Sequence, residues 1–218
     1  VDTARKHKIA CDLERQDSLY VALNKKAAED MQGEIQSRKK LGYQYKFYSK
    51  SELQKIHPSK AYNCGVRYSD SYGIVSLLYV QGLKRVLLSQ GVKIYEHTEA
   101  LSLTGTKVKT KSGSIKANNI IVCIDRMKIS FSKASRNTYH AQTFLSVSEP
   151  LSQAQIKSIF PEKPLMCWDS DLVYTYYRLI RDNRLLVGGG SMLTTYYPTY
   201  FNNPSIISSV IKDIKQRF

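Results

Sequence analysis

Ile120, Ile121, Val122, Cys123 and Ile124 follow one another without a polar break, between Asn119 and Asp125. A short, continuous apolar run of this kind predicts a strand buried on both faces, which requires layers on either side of its sheet. The residues before it predict how those layers arise. From Ser76 to Gln90, Leu77, Val80, Leu83, Leu87 and Leu88 recur at helical spacing, and Gly91 ends the helix. Val92 to His97 then alternates as a strand. Lys107–Lys111 and Ser114–Ala117, joined by a Lys111-Ser112-Gly113-Ser114 turn, predict a β-hairpin. Helix, strand, hairpin and buried strand in this order define an α/β segment.

The flanks read differently. Ser18 to Leu23 predicts a strand. Asn24 is placed to cap a helix from about Lys25 to Leu41, with a stripe through Ala27, Met31 and Ile35 and Gly42 as terminator. Gln44–Tyr48 and Asn63–Arg67 predict strands, and Ser51–Ile56 predicts helical turns stopped at His57-Pro58. Beyond the α/β segment, Thr143–Val147, Leu172–Ile180 and Arg184–Gly188 predict strands. Ser152–Phe160 and about Pro204–Arg217 predict helices. The expected fold class is α/β with α+β, the two portions interleaved, with units at 1–75, 76–126 and 127–218.

Composition narrows the function. With 42% hydrophobic residues in 218, a sizeable core is expected. Lys and Arg number 33 against 18 Asp and Glu, giving +15, a charge that attracts polyanions. The basic residues are scattered, however. Clusters such as Arg38-Lys39-Lys40 and Lys107–Lys111 lack the aromatic platform of single-strand binders, so nucleic acid is not an expected partner. Cys11, Cys64, Cys123 and Cys167 have neither zinc nor disulfide-scaffold spacing, which argues against zinc and against a disulfide scaffold; no metal site is expected, and a reducing, cytoplasmic setting fits. Cys123 is expected to be a buried small hydrophobe. No membrane span or signal peptide is visible. The chain opens on Val-Asp-Thr, which suggests a processed or partial sequence.

Three stretches carry a resemblance: Asp70-Ser71-Tyr72-Gly73-Ile74-Val75, then Tyr79-Val80-Gln81-Gly82-Leu83, then Gly91 through Ala100. Ser148-Glu149-Pro150-Leu151 and Tyr174–Leu179, closing with Asp182-Asn183-Arg184-Leu185-Leu186-Val187-Gly188-Gly189-Gly190, extend it. The chain resembles the D-amino-acid oxidase-like FAD-dependent oxidoreductases, on the side of the glycine, sarcosine and glutamylputrescine oxidases. The resemblance implies a partial, Rossmann-like FAD-binding domain interleaved with an antiparallel-sheet substrate-binding domain. It also implies oxidation of the C–N bond of an amine or amino acid, with hydride transfer to flavin. Members carry an N-terminal G-x-G-x-x-G unit whose backbone N–H groups meet the FAD pyrophosphate. No such motif occurs here, so flanking segments of the same polypeptide are expected partners, FAD binding by this chain alone should be weak or absent, and the fragment alone should be inactive. The alternative is a non-enzymatic basic module that binds a polyanion or protein and keeps a degenerate flavoprotein fold.

The resemblance further implies cofactor contacts at Ala100, through its backbone, and at Cys123, Ile124 and Asp125, where Ile124 and Asp125 depart from the small residues often found there. A carboxylated substrate needs an aromatic wall and a cation. Strand parity puts Tyr174, Tyr176 and Arg178 on one face and Thr175, Tyr177, Leu179 and Arg181 on the other. Tyr176, Tyr177 and Arg178 are the candidate substrate residues, with Arg178 the first choice for a bidentate carboxylate contact and Arg181 the second. Arg178 as a stacked or salt-bridged sheet residue stands as an equal reading. His97 and His140 are expected to be structural rather than acid–base groups, and Trp168 to pack under the strands rather than on a cofactor.

Overall fold

The computed structural model describes residues 1–124, 140–170 and 174–194. In chain order the elements are α1 (Asp2–Lys6), β1 (Glu14–Arg15), β2 (Ser18–Ala22), α2 (Lys25–Lys40), β3 (Lys46–Tyr48), α3 (Lys50–Ile56), β4 (Cys64–Tyr68), β5 (Tyr72–Gly73) and α4 (Ser76–Ser89). They continue with β6 (Ala100–Thr104), β7 (Lys107–Thr110), β8 (Gly113–Lys116), β9 (His140–Val147), α5 (Gln153–Ile159), β10 (Met166–Asp169), β11 (Tyr176–Ile180) and β12 (Arg184–Thr194). The fold is mixed α/β.

A seven-stranded sheet of order β3-β4-β2-β10-β11-β12-β9 joins strands from both ends of the chain. Its pairings are antiparallel except for β2 with β10, which run parallel. Between them in sequence come α4 and a separate three-stranded antiparallel sheet, β6-β7-β8.

Helix α2 forms for the reasons the sequence states. The Asn24 side chain accepts from the Ala27 N–H at 2.9 Å, and Gly42 takes the left-handed conformation past its end (φ 75°). Ala27, Met31 and Ile35 are buried against Cys64, Val66 and Tyr68 of β4, so the helix covers one face of the sheet at the β4 and β2 strands. Helices α3 and α5 cover the opposite face. There Leu19, Val21, Leu53, Ile156, Phe160 and Tyr177 form the main core. A smaller core of Ala4, Ile9 and Cys11 packs under α4.

Two predicted strands are not formed. Val92–His97 and Asn119–Ile124 have no ladder partner among the described residues, and extended chain without a partner gains none of the pairing that stabilises a strand. Ile121 is accordingly 86% exposed rather than buried on both faces, and Cys123 is exposed rather than a core hydrophobe. Strand β10, which no sequence signal marked, sits in the middle of the large sheet. The predicted Leu172–Ile180 strand forms over Tyr176–Ile180: Tyr174 and Thr175 are not in a strand, and 171–173 lie outside the described residues, as does the predicted helix at Pro204–Arg217.

Candidate active site

Side-chain parity across the large sheet builds a polar-aromatic surface opposite the main core. Tyr20 of β2 pairs with Trp168 of β10, Trp168 with Tyr176 of β11, and Tyr176 with Gly188 of β12. These residues therefore form one row on one face. Tyr20 and Trp168 stack at 5.7 Å between centroids and 13° between planes. The next row carries Tyr68, Ser18, Met166, Arg178 and Leu186. Helix α2 covers this face at β4 and part of β2. The rest of this face opens as a cavity of about 920 Å³, lined among others by Tyr20, Glu34, Trp168, Tyr174, Tyr176 and Arg178.

The chain 69–75 closes one side of it. Ser71 and Ser18 share a hydrogen bond between hydroxyls at 2.6 Å, and β1 pairs with β5, placing Tyr72 on the cavity wall. The Arg178 guanidinium lies against Gly73, where a Cβ would collide with it, and Nη2 donates to the Ile74 carbonyl at 3.4 Å. Among the described residues Arg178 has no carboxylate within ion-pair distance. That leaves donors of its planar fork for a ligand, and the salt-bridged sheet reading has no partner there.

Tyr177 is placed differently from Tyr176 and Arg178. Its side chain is 2% exposed on the core face. His57 Nδ1 accepts from the Ser59 N–H at 3.3 Å, so the proton resides on Nε2, which donates to the Tyr177 hydroxyl at 2.6 Å. Tyr62 meets the same hydroxyl at 3.4 Å. Burial pushes the His57 pKa down to about 4 and holds the Tyr177 hydroxyl well above its ordinary range. Tyr177 thus supports β11 from behind, while its neighbours face the cavity.

The remaining candidates do not gather here. Ala100 is half-buried at the start of β6, opposite Thr110, and Cys123 and Ile124 are exposed in irregular chain. None of the three lines the cavity. Asp125 lies outside the described residues. Arg181 forms an ion pair with Asp12 away from this face. His97 is exposed, with φ 54°. His140 opens β9. Trp168, expected as packing, forms part of the cavity wall. Glu34 escaped sequence reasoning, because its place on the wall depends on how α2 crosses the sheet.

The sheet, the cavity and the Arg178 guanidinium together form one polar-aromatic site on this face. The family model described as DAO, FAD dependent oxidoreductase, matches residues 2–218, and the chain belongs to that family. Over 197 residues the chain is 30% identical to the probable oxidoreductase OrdL of Haemophilus influenzae, covering 85% of the chain and 45% of that protein. Over 195 residues it is 26% identical to the gamma-glutamylputrescine oxidoreductase of Escherichia coli, again covering 85% and 45%. The chain thus spans about half the length of the curated relatives it matches. In fold it is similar to glycine oxidase from Bacillus cereus, with a TM-score of 0.68 at 16% identity over 97% of this chain and 57% of that one. It is also similar to L-proline dehydrogenase from P. horikoshii, with a TM-score of 0.70 at 14% identity over 99% and 61%.

The family's cofactor is FAD. Among the described residues the chain offers an aromatic cavity suited to a flat ring and a small substrate, but no glycine-rich turn opening a helix onto a pyrophosphate. Gly188 and Gly189 sit within β12, close under Tyr176 and Thr175. No helix is long and apolar enough to cross a membrane, and no group of His, Cys, Asp and Glu could hold a metal ion, among the described residues.

Proposed function

We propose that the protein to which this chain belongs oxidises the C–N bond of a small amine or amino acid, the bound flavin taking the hydride. The observation that carries this reading is Arg178: a guanidinium without a carboxylate partner among the described residues, set in an aromatic cavity, in a chain of this family. In this reading Arg178 binds the substrate carboxylate bidentately. Tyr176 and Trp168 wall the substrate and exclude water from it, and the segment around Gly73 sets how far the guanidinium reaches. The flavin supplies the redox chemistry; the chain's residues orient the substrate. Ala100, Cys123, Ile124 and Asp125 remain the proposed cofactor contacts, completed by further parts of the fold. This chain by itself then binds FAD weakly and does not turn over. The units 1–75, 76–126 and 127–218 are proposed as the division between substrate and cofactor portions, in a cytoplasmic protein whose cysteines are free. The family match does not favour a non-enzymatic basic module.

The test is Arg178→Ala in the full-length flavoprotein. The expected result is a KM for carboxylated substrate raised about tenfold or more, from loss of charge-assisted hydrogen bonds, with flavin absorbance per protein unchanged. Loss of flavin with an unchanged KM would place Arg178 on the cofactor side instead.

A further inference from the structure

Three charged side chains line the cavity, Arg178, Glu34 and the buried Asp169, whose Oδ1 accepts from the Thr175 N–H at 3.1 Å, and the proposed function uses only the first. Arg178 belongs to β11. At the other end Glu34, on α2, accepts from the Tyr68 hydroxyl at 2.6 Å, and Tyr68 belongs to β4. Strands β2 and β10 lie between β4 and β11. Three strand spacings separate β4 from β11, roughly 14 Å. The stacked pair Tyr20 and Trp168 forms the floor between them.

Arg38, one turn along α2, holds both oxygens of Asp70 at 2.8 and 2.9 Å and lies 4.0 Å over the Tyr68 ring. Among the described residues Glu34 makes no ion pair. The Tyr20 hydroxyl is held above its ordinary pKa, first by burial and then by the negative charges of Glu34, Asp30 and Asp169. The negative charges disfavour a phenolate and favour a cation at the same place, whereas burial disfavours either charge. Aromatic faces backed by a carboxylate are the surroundings in which an ammonium group gains both cation–π and ionic attraction.

We propose that the cavity takes an extended substrate whose carboxylate rests on Arg178 and which carries a second, non-reacting ammonium group seated against Tyr20, Trp168 and Glu34. The inference rests on the reading that Arg178 anchors a carboxylate. It adds the substrate class: an amino-carboxylate with a distal positive charge.

The experiment titrates the full-length flavoprotein by calorimetry with ω-amino acids of increasing chain length and with straight-chain alkanoic acids of the same lengths. The ω-amino acids should show a length optimum at which they bind about five- to tenfold more tightly than the matched alkanoic acid. In Glu34→Gln, which keeps an acceptor for Tyr68, that advantage should vanish while alkanoic-acid binding holds. Equal binding of the two series at every length, or an advantage that survives Glu34→Gln, overturns the inference. Arg178→Ala separates the two readings. It should weaken both series; if it weakens neither, the carboxylate anchor fails and the inference falls with it.

Discussion

The Tyr176 ring lies directly over Gly188, its cross-strand partner, so closely that a Cβ at Gly188 would overlap the phenol end of the ring. The absence of a side chain on β12 is what lets Tyr176 lie flat along the cavity floor. Gly188→Ala must lift the ring. Because the ring is half-buried and can swing, the expected stability cost is modest, about 1–2 kcal/mol, as for an overpacked site that relaxes. The larger effect should be on ligand binding, with KM raised and flavin content unchanged. Urea denaturation and steady-state kinetics of the full-length protein read the two effects separately. Tyr176→Ala in the Gly188→Ala background should recover part of the stability, since the clash is then gone.

Arg178 and Gly73 stand in the same relation across the cavity wall. A methyl at Gly73 would occupy the space of Nη1. The guanidinium is the end of a flexible chain, so Gly73→Ala should move it rather than unfold the protein. The expected outcome is a KM for carboxylated substrates raised several-fold, with thermal stability changed by less than about 1 kcal/mol. An unchanged KM would show that Arg178 binds nothing at its present position.

Beneath β11, His57 is neutral in the fold because burial disfavours its charge, with a pKa of about 4 against about 6.5 in an unfolded chain. Between those values the unfolded state binds the extra proton. Stability therefore rises with pH across this window, is fully present above about 6.5, and is lost as pH falls toward 4. The contribution is about 3 kcal/mol. Chemical denaturation at several pH values should show it as a slope that His57→Gln flattens. Tyr177→Phe removes the partner of the His57 Nε2–H and should cost about 1–3 kcal/mol at neutral pH.

The parts of this fold that are local were legible in the sequence. Helix α2 carried its cap at Asn24, its stripe at Ala27, Met31 and Ile35, and its stop at Gly42, all within one window. The parity of β11 likewise separated Tyr176 and Arg178 from Tyr177, because alternation is intrinsic to a strand. Strand β10 was not legible. Its four residues, Met166–Asp169, gain their place from a parallel ladder with β2, far away in the chain. The converse error came at Val92–His97 and Asn119–Ile124, where strand-like composition has no partner to pair with among the described residues. Glu34 was illegible for the same reason as β10: its surroundings are made by residues distant in sequence.

The most demanding packing outside the cavity joins α4 to the N-terminal segment. Gly82 is the buried residue of α4, and a Cβ on it would overlap the Ile9 side chain, which is itself 8% exposed. Unlike Tyr176, Ile9 is branched and enclosed by the small core of Ala4 and Cys11, so it has little room to withdraw. Gly82→Ala gains about 1 kcal/mol of helix propensity and meets an overpacking cost of about 1–3 kcal/mol. The net expectation is destabilisation. The control is Ile9→Ala, which alone opens a cavity and costs about 2–4 kcal/mol. Combined, the new methyl occupies part of the space the Ile9 side chain leaves, so the double variant should be more stable than the sum of the single effects by at least about 1 kcal/mol. Additive losses in a denaturation cycle would mean that α4 does not rest on Ile9 in solution.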